Sequence, residues 1–96
     1  MTKKKEITWK KSAGVIERTI DDEKVLLDLK TGVYYSLDET GSKIWELLEK
    51  PVSAEEIAGE ILESYIGDSK AVLDCVNGLL KELAAEKLAK KGARKS

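Results

Sequence analysis

VLLDLKTGVYYSLDETGSKIWELL, residues 25–48, decides the fold, because it reads as a hairpin running straight into a helix. In a strand over 24–29, Val25, Leu27 and Leu29 alternate onto one face, the pattern of a half-buried strand. Lys30-Thr31-Gly32 follows as a turn, with Gly32 supplying the positive φ that a tight hairpin demands. The returning strand, 33–37, places Val33, Tyr35 and Leu37 on one face and Tyr34 and Ser36 on the other. Asp38 is placed to cap a helix carrying Ile44, Trp45, Leu47 and Leu48. That helix must stop by Lys50, because Pro51 disfavours helical geometry before it. The strand 33–37 has one obvious partner, so its other edge is expected to be open. An open edge beside an apolar helix can accept an extended segment as an extra strand.

Working outward, 14–20 (GVIERTI) reads as a preceding strand, joined through the polar Asp21-Asp22-Glu23. After the first helix, Ser53 and Glu56 form a capping box that opens a second helix with Ile57, Ile61 and Leu62 along one side. Asp68 caps a third helix running to about Glu86. The expected fold is α+β and winged helix-turn-helix-like: a three-stranded antiparallel sheet followed by three helices. The domain is expected over 12–88. Residues 1–11 and 89–96 read as flexible basic ends, with Trp9 docking on the domain.

The third helix carries two apolar stripes: Val72, Cys75, Leu79 and Leu83, and beside it Leu73, Val76, Leu80 and Ala84. A helix lying on a core from one side needs only one stripe. Either both are core, or the Leu73–Val76–Leu80 flank lines a groove with Asn77 and Lys81 at its rim. Cys75 reads as a small buried hydrophobe and Trp45 as core.

Ninety-six residues make one small domain. No apolar run is long enough to cross a bilayer and no signal-peptide pattern is present, so a cytoplasmic protein is expected. The chain has no histidine and one cysteine, which excludes a histidine-based triad and a Cys/His zinc cage. No catalytic residue, metal or cofactor is expected. Between Ser12 and Glu86 lie 7 basic and 17 acidic residues, a net charge of −10, while the basic residues gather at the two ends. Nucleic-acid binding draws most of its affinity from neutralised phosphates, and such a body repels them. No nucleic-acid partner is therefore expected, and a winged-helix DNA binder and a structural homodimer with paired sheet edges stand as the alternative readings.

The segment Leu37-Asp-Glu-Thr40-Gly41-Ser-Lys-Ile44-Trp45-Glu-Leu47-Leu48, with Ser53-Ala-Glu-Glu-Ile57 and Asp74-Cys-Val-Asn-Gly-Leu79, resembles the PqqD-like family over roughly residues 15–88. The resemblance implies a non-catalytic recognition element that binds the leader of a ribosomally made precursor peptide and delivers it to a modifying enzyme. It implies strand addition at Val33, Tyr34, Tyr35, Ser36 and Leu37, and helix contacts from Leu73, Val76, Asn77, Leu80 and Lys81. Members of this length occur in lasso-peptide pathways beside a separate leader peptidase; others work with a cyclase or a radical S-adenosylmethionine enzyme. The segment before the first helix differs from that of members serving quinone-cofactor synthesis. Gly78 stands where the family often has a large apolar residue, which implies a locally roomier groove or core here.

Overall fold

A computed structural model describes residues 5–21, 23–64 and 67–95. The strands are β1 (Lys5–Lys11), β2 (Val15–Ile20), β3 (Glu23–Asp28), β4 (Tyr34–Leu37) and β5 (Ala89–Lys95). The helices α1 (Glu39–Leu47), α2 (Ala54–Ser64) and α3 (Ser69–Ala85) lie between β4 and β5. The central unit is α+β: an antiparallel sheet of order β2-β3-β4, then three helices. Asp22, in the expected connection between β2 and β3, lies outside the described residues.

Local chemistry places these elements as the sequence predicts. Gly32 takes φ +75° in the turn before β4. The Asp38 carboxylate accepts the Gly41 N–H at 2.7 Å and starts α1. A Cβ on Gly41 would stand 3.2 Å from both that carboxylate and the Leu37 side chain, so glycine is what lets strand and helix meet so closely. Ser53 Oγ accepts the Glu56 N–H at 3.1 Å while Glu56 accepts the Ser53 N–H at 2.9 Å, closing the capping box.

Three expectations are corrected. First, residues 5–11 and 89–95, which fall in the expected flexible ends, form strands. β1 and β5 pair antiparallel, from Lys5 opposite Lys95 to Lys11 opposite Ala89. Like charges oppose each other at Lys10 and Lys90, which disfavours pairing. The pairing holds because Trp9 and Ala89 are buried in the core, the Lys91 ammonium stands 5.8 Å from the Trp9 ring, and Trp9 exchanges two backbone hydrogen bonds with Val52.

Second, the core face of β3 is not the apolar one. Lys24, Leu26 and Asp28 point inward, while Val25 and Leu27 are half-buried and Leu29 is exposed. Lys24 can face inward because its stem lies against the core while its ammonium reaches Glu46 at 3.3 Å and Glu17 at 3.5 Å. Asp28 is satisfied by accepting the Lys30 N–H at 2.9 Å. Third, Cys75 is exposed rather than buried.

The core gathers Trp9, Leu26, Leu37, Ile44, Trp45, Leu48, Ile57, Ile61, Val76, Leu80, Leu83 and Leu88. Trp45 is fully buried, as expected, and its indole N–H donates to Glu17 Oε2 at 2.6 Å. Lys11 bridges Glu17 (3.0 Å) and Glu49 (2.7 Å) and sits 5.1 Å above the Trp45 ring, tying β1 to β2 and α1. Burial works against the Glu17 charge, but the donors from Trp45 and Lys11 outweigh it and hold the carboxyl below its ordinary value. Burial likewise opposes the Lys11 charge, and its hydrogen bonds to Glu49 and Glu17 reverse that effect and raise it.

Candidate functional site

Among the described residues β4 is an edge strand, paired with β3 and with no strand on its other side. The Asp28 N–H donates to the Val33 carbonyl at 2.9 Å, which makes that couple hydrogen-bonded. Antiparallel ladders alternate, so Tyr35 and Leu37 also direct their backbone groups at β3. The N–H and C=O groups of Tyr34 and Ser36 therefore point to the open side. Four backbone hydrogen-bonding groups stand ready for an added strand.

Beside this edge runs a groove of about 430 Å³ between β4, the start of α1 and one flank of α3. Tyr35, Leu37 and Ile44 form one wall; Cys75, Gly78, Leu79 and Glu82 form the other. The Tyr35 hydroxyl reaches across the groove and donates to Glu82 Oε2 at 2.7 Å. Burial and that hydrogen bond, with the nearby charges of Glu82, Glu86 and Asp38, push the Tyr35 phenol up to about 12. A Cβ on Gly78 would meet nothing within 4 Å, so the α3 wall is recessed there.

Of the strand residues expected to form the site, Tyr35, Ser36 and Leu37 line the groove. Tyr34 is 68% exposed and lies on the opposite sheet face, and Val33 is half-buried just before β4. The expected helix residues lie away from this groove. Val76 and Leu80 are 1% and 0% exposed and belong to the core. Leu73 and Asn77 are half-buried and Lys81 is exposed, and none of the three lines the groove. The groove takes Cys75 and Leu79 from the neighbouring stripe, with Gly78 and Glu82, while Leu83 of that stripe is buried in the core. One signal for this was in the sequence: the series Cys75, Gly78, Leu79, Glu82 ends in an acid, whereas Val76, Leu80 and Leu83 are all apolar. Asp38, Thr40 and Gly41 also border the groove, brought there by the cap that starts α1.

The outer face of the three-stranded sheet carries several exposed apolar side chains. Ile16 opposes Leu27, which opposes Tyr34, and Ile16, Ile20, Leu29 and Tyr34 are all exposed. Among the described residues no group of three or more acids and cysteines is placed to hold a metal, and no helix is long and apolar enough to cross a membrane.

The chain matches the family model described as coenzyme PQQ synthesis protein D (PqqD) over residues 23–89. No curated protein sequence matches it. Among solved structures it is similar to TbiB1 in complex with the TbiA(beta) leader peptide, with 42% identity and a TM-score of 0.77 over 84% of this chain and 94% of that one. It also shares its fold with a lasso peptide synthetase B1 complexed with the leader peptide, at 21% identity and a TM-score of 0.76, over 85% of this chain and 96% of the other.

Proposed function

This chain belongs to the PqqD family, and on that premise we propose that it is a non-catalytic adaptor binding the leader of a ribosomally made precursor peptide. The observation that carries this reading is the open β4 edge lying directly beside an apolar groove. A flexible leader loses conformational freedom on binding and recovers that cost through main-chain hydrogen bonds to Tyr34 and Ser36. Its alternate side chains enter the groove against Ile44, Leu79 and the recess at Gly78. The 42%-identical TbiB1, whose structure holds a leader peptide, supports the same use of this chain.

The partner that receives the tethered peptide is a modifying enzyme, and tethering raises the effective concentration of the peptide beside it. The exposed Ile16, Ile20, Leu29 and Tyr34 give such an enzyme an apolar surface adjoining the loaded edge. Cys75 supplies the test, being the chain's single cysteine and exposed on the groove wall. Its alkylation by iodoacetamide should slow several-fold when a leader peptide fills the groove. A peptide that binds tightly yet leaves the alkylation rate unchanged would place the site elsewhere. A concentration-independent dimer that ignores every leader would favour edge-to-edge pairing instead.

A further inference from the structure

The sequence led to the expectation that Lys81 stands at the groove rim, where it would attract acidic residues of a bound peptide. The structure reverses the sign. Lys81 is exposed and lies off the groove, and the charged residues among those lining it are Asp38 and Glu82. We propose that Glu82 makes the groove select a peptide carrying a lysine or arginine at the position opposite Tyr35. This inference rests on the adaptor reading above and adds the chemistry of the peptide that fits.

The geometry follows from the strand register. A peptide hydrogen-bonded to Tyr34 and Ser36 places its intervening residue beside Tyr35. Side chains opposite one another on neighbouring strands share a sheet face, with Cβ atoms roughly 5 Å apart. That residue therefore projects into the groove, on the side where Tyr35 reaches Glu82 at 2.7 Å. A carboxylate offers about four acceptor sites, and the Tyr35 hydroxyl fills one of them on Oε2. The remaining sites suit an ammonium or a guanidinium. The same end of the groove disfavours an acidic side chain, because Asp38 and Glu86 add their charges around Tyr35. The Asp38 and Glu82 carboxylates both line the groove, but Glu82 is the one hydrogen-bonded to Tyr35, beside which the intervening peptide residue stands, and that position makes it the residue that discriminates.

The test is selection of a displayed library of random dodecapeptides on the wild type, Glu82→Gln and Glu82→Lys, with circular dichroism confirming that each variant is folded. The wild type should enrich a basic residue at one fixed position among alternating apolar ones. Glu82→Gln should lose that enrichment and keep the apolar pattern, while Glu82→Lys should turn it to Asp or Glu. Against the best wild-type peptide, Glu82→Gln should weaken binding roughly 5- to 20-fold, and by under twofold once the basic residue is replaced by methionine. Peptides that protect Cys75 from alkylation but show no basic preference, or the same preference on Glu82→Lys, overturn the role of Glu82 alone. If no selected peptide protects Cys75, the adaptor reading fails, and this inference with it.

Discussion

Gly78→Leu separates folding from binding, because the two should move in opposite directions. Gly78 lies inside α3 and is exposed, and a Cβ there meets no atom within 4 Å. Replacing an interior helix glycine with leucine should stabilise the fold by about 0.7 kcal/mol. For a domain of this size that corresponds to a melting temperature higher by roughly 3–6 °C. The same four added carbons stand in the recess of the groove, which holds about 430 Å³. Overfilling a fitted apolar site costs about 1–3 kcal/mol, so leader affinity should fall roughly 5- to 150-fold. Thermal melts followed by circular dichroism read the first effect, and fluorescence anisotropy with a labelled leader reads the second. Gly59→Leu is the control: Gly59 is also exposed, in α2, has open space around it and does not line the groove. It should gain similar stability with unchanged affinity. A Gly78→Leu protein that melts higher and binds as tightly as the wild type would refute the groove as the leader site.

Leu80→Asp puts a charge without a partner into a fully buried core position and should cost about 4–5 kcal/mol, seen as loss of cooperative unfolding in a denaturant titration. Lys87 occupies the left-handed position after α3 (φ 62°), so Lys87→Gly should raise stability by roughly 1 kcal/mol, read as a higher urea midpoint. The Tyr35 phenol, pushed up to about 12, makes a stability contribution that is complete below its ordinary value of 10.0 and lost as pH rises toward 12. Absorbance at 295 nm should show a late tyrosinate step that Tyr35→Phe removes. Glu17 has the opposite sign. Its lowered carboxyl value contributes stability above about pH 4.5 that is lost as pH falls further. Glu17→Gln should be less stable at neutral pH and less sensitive to acid, whereas an unchanged acid midpoint would refute the role of the Glu17 cluster.

The central architecture was legible because its signals are local. Gly32 at the turn, the Asp38 and Ser53 caps and the stop before Pro51 each act over a few residues. The end of α3 shows where such reading stops. The Leu88 N–H donates to the Leu83 carbonyl at 2.8 Å and the Lys87 N–H to that of Ala84 at 3.0 Å, a Schellman turn with lysine where glycine is usual. Lacking that glycine, the turn does not announce itself, and the AKKGARK of β5 reads as a solvated tail. The pairing of β1 with β5 joins opposite ends of the chain, so no local pattern encodes it.

The sequence by itself determined the order of the three central strands and three helices, the open edge at β4, the negative charge of the body and the family. Those properties follow from turn chemistry, capping, periodicity and charge, which are set residue by residue. Only the tertiary structure decided which flank of α3 faces the groove, which face of β3 is buried, and whether the basic ends are tails or strands. On α3 the two apolar stripes are adjacent, and a rotation of about one residue exchanges core for groove. Contacts from elsewhere in the chain fix that rotation: Val76, Leu80 and Leu83 are drawn into the core shared with Trp45 and Ile57, and Cys75, Gly78, Leu79 and Glu82 are left facing the edge where a peptide can dock.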